Sequence, residues 1–184
     1  MLSIRKFENK DYENVQYACL NSEETPCPED IQQFILYTFC NYYIDNEPEN
    51  CFVLDDDGKA VGYIICAENY DRYKKIFDEK YLPLSKDFDP GLYHWAETST
   101  ILQNKYKEEY PAHLHIDLLP PYHRKGFGGK LIQTLFEHLR NKGVCGVMLT
   151  AGPQNEAGVN FYKKQGFTLL EQTEADVAFG MKLL

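Results

Sequence analysis

Apolar and polar side chains alternate over residues 2–7, the period of a strand with one buried face. Residues 11–20 change to helical spacing, and a polar stretch at 21–27 ends it. Pro28, followed by Glu29 and Asp30, resembles a first helical turn and predicts an aromatic-rich helix to about residue 44. Apolar runs at 51–54 and 60–67 flank an Asp-Asp-Gly turn at 56–58 and predict a β-hairpin. A short apolar strand precedes Pro120 and Pro121. After a glycine-rich turn comes a helix whose stripe is Leu131, Leu135 and Leu139 with Ile132 and Phe136. Residues 144–150 predict another strand, Asn155 and Gly166 bracket a last helix, and 168–171 with 177–183 predict a closing strand pair.

The glycine-rich turn carries the most specific chemistry. A turn that opens a helix aims bare N–H groups and the positive end of the helix dipole at one spot, which suits phosphate. Gly126, Gly128 and Gly129 remove the Cβ atoms that would keep a pyrophosphate away. The same turn with no ligand is the plainer reading. No Gly-x-x-x-x-Gly-Lys-Ser/Thr is present, and counting Gly-x-Gly-x-x-Gly from Gly126 ends on Leu131. Walker-type and dinucleotide sites are thereby excluded.

The run His123-Arg124-Lys125-Gly126-Phe127-Gly128 fits the Gln/Arg-x-x-Gly-x-Gly/Ala phosphate loop of the GNAT superfamily of N-acetyltransferases, with His123 as the departure. A second run is similar to the same family: Asn155, Gly158 where Ala is usual, Phe161, Tyr162, Gly166 and Phe167. Helix caps at Asn155 and Gly166, and a core-edge aromatic at Tyr162, would account for three of these without a ligand. The resemblance is close over residues 112–184 and one of layout before that. It implies an α/β (α+β) GNAT fold, a mixed and mostly antiparallel sheet of six to seven strands flanked by helices. The order strand-helix-helix-strand-strand-strand-helix-strand-helix-strand-strand read above matches that fold. One domain would span 1–184, with a helical insertion at 69–111 between strands 3 and 4.

The resemblance also implies acetyl-CoA as co-substrate, no metal, and direct transfer to a primary amine in a ternary complex. Arg124 to Lys130 would cradle the pyrophosphate: Arg124, Lys125, Gly126, Phe127, Gly128, Gly129 and Lys130, with His123 before them. The amides of Leu118 and Leu119 would pair with the pantetheine arm, Asn155 and Phe161 would complete the site, and Tyr162 would protonate the departing thiolate. A lysine-like amine of pKa about 10.4 must also lose its proton, a penalty near 4.6 kcal/mol at pH 7. The base is open. In the histone-acetylating branch a Glu stands where this chain has Ala112, which leaves Asp117, His113 and His115 on one strand face, or relay through water to Glu68 or to a residue of the insertion. Each of these could instead be a buried structural polar group.

The insertion carries nine aromatic residues, among them Trp95, the chain's single tryptophan, so it is expected to pack down. It would serve as a structural flap, a homodimer surface, or a wall of the acceptor pocket. Tyr70, Tyr73 and Phe77 fall at helical spacing, and Trp95, Ile101 or Leu102 and Tyr106 would line a second helix. The insertion and the run at 110–120 also resemble bacterial acetyltransferases related to the acetyltransferase-like domain of O-GlcNAcase. That likeness leaves an alternative function, a non-catalytic acetyl-CoA-binding regulatory module.

Charge changes the picture in one respect. Residues 1–112 hold 22 acidic and 11 basic side chains, whereas 113–184 hold 6 and 8, within a total of −9. The phosphate-loop half suits an anionic coenzyme, and the acidic half could draw a cationic small-molecule or peptide amine, or merely keep the protein in solution. Overall acidity argues against nucleic-acid binding. No apolar run approaches the roughly 18–20 residues needed to span a bilayer, and no signal-like segment opens the chain. The six cysteines lack Cys-x-x-Cys pairing, which fits reduced thiols in a cytoplasmic protein better than disulfides or metal ligands.

Overall fold

A computed structural model describes residues 1–184. Seven strands form one sheet: β1 (Leu2–Lys6), β2 (Phe52–Asp56), β3 (Lys59–Ala67), β4 (Ala112–Leu118), β5 (Gly146–Ala151), β6 (Thr168–Gln172) and β7 (Val177–Lys182), in the order β1-β2-β3-β4-β5-β7-β6. Every neighbouring pair is antiparallel except β4 with β5. The helices are α1 (Tyr12–Leu20), α2 (Gln32–Phe39), α3 (Asn41–Asn46), α4 (Tyr70–Ile76), α5 (Pro90–Thr98), α6 (Ile101–Tyr106), α7 (Phe127–Asn141) and α8 (Glu156–Lys164). This is the GNAT fold expected from the motifs.

Local chemistry explains the turns. Asp57 and Gly58 both adopt positive φ, 49° and 93°, which gives the two-residue hairpin loop the twist that β2 and β3 require. In α7 the stripe Leu131, Ile132, Leu135, Phe136 and Leu139 is at most 1 % exposed, packed on one face of the sheet with Leu114, Val147 and Phe179. Gly143 ends that helix at φ 77°. Its N–H donates to the Arg140 carbonyl and that of Val144 to Leu139, so the last carbonyls are satisfied.

The expected single helix from Pro28 to residue 44 is corrected. It is a short turn at Glu29–Ile31, then α2, a break at Cys40 and then α3. Four consecutive residues, Asn41, Tyr42, Tyr43 and Ile44, are buried. Successive helical positions lie about 100° apart. A straight continuation of α2 would therefore carry some of them to solvent.

The second helix of the insertion is likewise two, α5 and α6, separated at Ser99–Thr100, where the buried Thr100 receives the Tyr70 hydroxyl at 3.4 Å. The insertion does pack down. Tyr70, Tyr73, Phe77 and Tyr81 join Tyr42, Tyr43 and Tyr63 in the core on the face opposite α7. Trp95 lies 5.5 Å from Phe34 and 5.2 Å from Phe39, ring centre to ring centre. No helix is long and apolar enough to cross a membrane.

Candidate active site

β4 and β5 pair over only two positions, Ala112 with Val147 and His113 with Met148. Beyond them the strands part, and β4 keeps only its partner β3. The Leu119 N–H donates to the Val61 carbonyl at 3.0 Å. An antiparallel ladder alternates its hydrogen-bonded pairs, so the backbone groups of Asp117 and His115 face β3 while those of Ile116 and Leu118 face the gap. The expectation for Leu118 therefore has a backbone N–H directed where it needs one. That for Leu119 is corrected: its N–H is spent on Val61 and its carbonyl on the Tyr122 N–H at 2.9 Å.

At the mouth of this gap lies a cleft of about 1040 Å³. Its walls are the end of β4, Tyr122, His123, Arg124 and Gly126 of the following loop with the first turn of α7, one face of α8, and the α1–α2 connection at Ser22, Glu23, Glu24 and Thr25. Six consecutive N–H groups, Arg124 to Gly129, find no acceptor of ordinary geometry in the protein. Gly126 adopts φ 85° at the cap of α7, and a Cβ there would meet nothing within 4 Å, so its outer side is open space. A Cβ on Gly128 would come within 3.0 Å of Phe161, so that glycine permits α7 and α8 to touch at the floor. This set of donors suits a pyrophosphate.

Around the loop, His123 binds the Leu118 carbonyl through Nε2 at 2.7 Å and thereby ties the loop to the strand. Arg124 holds φ 57°, its residue exposed beside the cleft. Lys125 and Lys130 lie outside the cleft walls: their ammonium groups sit 5.9 Å from the Tyr122 ring and 5.5 Å from the Phe127 ring. Both remain close enough to add positive potential, but neither lines the cavity.

Asn155 caps α8 by accepting the Gly158 N–H at 2.8 Å. A Cβ at 158 would fall 2.7 Å from the Asn155 amide nitrogen, which accounts for glycine in place of the usual alanine. Phe161 and Tyr162 reach the cleft from the next turns. Tyr162 lies 5.8 Å from both Phe167 and Phe179, and its hydroxyl makes no hydrogen bond within the protein. Burial, with a smaller effect from the Asp117 charge, holds its phenol well above the usual tyrosine range.

Asp117 faces the same cleft. Burial pushes its carboxyl up to about 6, with Glu23 acting in the same direction, while the hydrogen bond from Tyr63, the neighbouring Ser22 hydroxyl and the charge of His123 pull it down. The other candidate bases are elsewhere. His113 is 2 % exposed, enclosed by Tyr43, Tyr70 and Tyr73, with neither ring nitrogen hydrogen-bonded. Burial lowers it to about 3. It is corrected from a candidate base to a member of the aromatic core. His115 packs edge-on to Phe39 and Tyr43 and is lowered to about 4. Glu68 sits beyond the far end of β3, ion-paired with Lys142 and hydrogen-bonded by Asn50 at 3.2 Å. No insertion residue lines the cleft, so the insertion supports α2 and α3 and does not form its wall.

Sequence reasoning missed the α1–α2 connection, together with Asn160, Lys164 and Gln165. Asn160 and Lys164 share the α8 face of Ala157 and Phe161, Gln165 follows directly at its C-terminal cap, and a helical wheel drawn from Asn155 would have found all three. No three His, Cys, Asp or Glu side chains gather where they could hold a metal ion.

A family model described as the acetyltransferase (GNAT) family matches residues 14–167. The chain belongs to the GNAT acetyltransferase family. Among solved structures it is similar to SsHAT, at 26 % identity over 100 % of this chain and 98 % of that one, with a TM-score of 0.88. The PaiA N-acetyltransferase from Thermoplasma acidophilum, in complex with coenzyme A, matches at 18 % identity over 99 % of each chain and a TM-score of 0.66. An agmatine N-acetyltransferase in its apo form matches at 14 % over 98 % of this chain and 99 % of that one, with a TM-score of 0.68. These last two share the GNAT fold. GNAT membership makes the chain an acyltransferase by family, and the cleft between β4, α7 and α8 is where the chemistry of its residues gathers.

Proposed function

We propose that this protein transfers the acetyl group of acetyl-CoA to a primary amine by direct attack in a ternary complex. The observation that carries the reading is the run of N–H groups from Arg124 to Gly129, none with an acceptor of ordinary geometry in the protein, beside the unpaired edge of β4. The row would take the pyrophosphate, and Ile116 and Leu118 would take the pantetheine arm as an added strand. Arg124 would add charge at the rim, with Lys125 and Lys130 acting from farther away. Acetyl-CoA supplies the thioester.

Asp117, raised to about 6, is ionised at neutral pH and close to the working range of a general base. It would take the ammonium proton, after which the amine nitrogen bonds the acetyl carbon and the carbon–sulfur bond breaks. Tyr162, kept protonated, would hydrogen-bond the departing sulfur and pass it a proton, and would regain one as the attacking nitrogen sheds its second proton, while Asp117 returns the first to solvent. The exposed carboxylates of Glu23 and Glu24 at the other wall suit a cationic small or peptide amine. All six cysteines are free, consistent with a cytoplasmic setting. The shared 110–120 run and the helical insertion support kinship with the bacterial relatives of the O-GlcNAcase acetyltransferase-like domain.

The second reading, a regulatory module that binds acetyl-CoA without transfer, draws on the buried Ala112 and on the withdrawal of His113 from the cleft. Calorimetric titration with acetyl-CoA, followed by thiol release over a panel of amines, separates the two. Binding with amine-dependent CoA release supports transfer. Binding without release from any amine supports the module, and absence of binding removes both.

A further inference from the structure

Asp117 stands directly opposite Tyr63 in the β3–β4 ladder, and the Tyr63 hydroxyl donates to its Oδ2 at 2.5 Å. Residues opposite one another in such a ladder project to the same face, so this contact is set by sheet register rather than by a flexible loop. Tyr63 is 1 % exposed, in the core with Val53, Tyr43 and Cys40, and a phenol so enclosed has little freedom to turn away. One oxygen of Asp117 is thus held from beneath, while the residue lines the cleft.

We propose that Tyr63 is a positioning residue for the transfer reaction: by holding Oδ2 it aims Oδ1 at the incoming amine and keeps the carboxyl ionised. The inference rests on Asp117 as the base in the reading above. The physical argument is one of opposed effects. Burial alone favours the protonated acid, which cannot accept a proton. A hydrogen bond donated to the carboxylate favours the ionised form. The other groups facing Asp117 are Ser22 and Glu23 from the α1–α2 connection, His123 from the loop after β4, Cys40 between α2 and α3, and Tyr162 from α8. Glu23 opposes ionisation, and Ser22 and His123 favour it. Among the hydroxyls, Tyr63 is the one placed by strand register.

The test is Tyr63→Phe, read in two ways on the full chain. The first is carbon-13 NMR titration of the Asp117 carboxyl, assigned with Asp117→Asn and requiring no acceptor. The second is the pH profile of CoA release with the best amine of the panel at saturation. Loss of the hydroxyl is expected to raise the Asp117 pKa by about one unit. Release should then fall about fivefold further at pH 6 than at pH 9, where the carboxyl is ionised in both proteins and only the lost aim of Oδ1 lowers the rate. Incorporation of 3-fluorotyrosine at position 63, a stronger donor of nearly the same shape, should move the titration the other way. An unchanged Asp117 titration in both variants overturns the proposal, as does an equal loss of rate at every pH. If the native protein releases no CoA with any amine, the transfer reading fails. The role of Tyr63 in that reaction fails with it, and the NMR titration then reports only whether the Tyr63–Asp117 contact sets the carboxyl pKa.

Discussion

The Phe167 N–H donates to the Tyr162 carbonyl at 3.1 Å, and the two rings lie 5.8 Å apart. Gly166 makes this closure possible: at φ 89° it reverses the chain, and its own N–H reaches the Lys163 carbonyl at 3.1 Å. The Gly-Phe pair after α8 is therefore a brace that fixes the turn carrying Tyr162. A hydroxyl held this way, with no partner in the protein, is ready for a ligand atom.

Tyr162→Phe preserves the ring packing and removes only the oxygen. Turnover is expected to fall by about 10²-fold while the affinity for acetyl-CoA stays within about twofold. Steady-state kinetics beside calorimetry check this, and an unaltered kcat would remove Tyr162 as the acid.

Gly126→Ala tests the loop. Because a Cβ there meets nothing, the penalty is conformational alone, roughly 1–2 kcal/mol for an alanine held at positive φ. The melting temperature should drop by about 3–6 °C. Acetyl-CoA affinity should weaken as well, because relaxation of the strain moves the N–H row.

The base role proposed for Asp117 would come at a cost in stability. Its unfolded form ionises near 4 and its folded form at about 6, so stability falls as pH rises between those values and stays lower above them. Asp117→Asn removes that loss. The variant should be more stable than wild type at pH 8, by on the order of 2 kcal/mol after allowance for solvent contact, and should lose amine-dependent turnover. Denaturant unfolding at pH 4 and pH 8 reads the first effect and CoA release the second.

His113 and His115 act in the other direction. Their folded values, about 3 and about 4, lie below the ordinary 6.5, so the stability they permit is complete above pH 6.5 and declines as pH falls toward those values. His113→Phe keeps an aromatic ring against Tyr73 and removes two unpartnered nitrogens. It should raise stability by about 1 kcal/mol at pH 7, flatten the acid limb, and leave turnover within about twofold. A large loss of turnover without a loss of stability would restore His113 as a base.

Trp95→Ala should lower stability by about 2 kcal/mol, since the ring is half-exposed and packs on Phe34 and Phe39. Because the insertion does not line the cleft, acetyl-CoA affinity should be unchanged in the same variant.

The fold and the glycine-rich turn before α7 were legible because their signals are local. A strand, a glycine turn and an amphipathic helix occupy one stretch of chain, and Gly126 declares its own backbone conformation. The roles that failed depend on distant elements. Nothing around His113 in the sequence reveals that Tyr43 and Tyr73 close over it. Nothing near Leu119 shows that Val61 takes its N–H. Tyr63 was hidden for the same reason, since its significance comes from a register across 54 residues. The break at Cys40 reflects four neighbouring residues that all find burial, a demand imposed by the packed core and invisible to periodicity.

Two residue pairs join β4 to β5, so the sheet is a four-stranded block and a three-stranded block sharing a short seam. Such a boundary is where native fluctuations open first, each block remaining intact while the seam parts. A molecule lying along the free edge of β4 would act there as a suture. In hydrogen exchange the amides of Ile116 and Leu118 would pass from unprotected to slow, and the two blocks would begin to unfold as one.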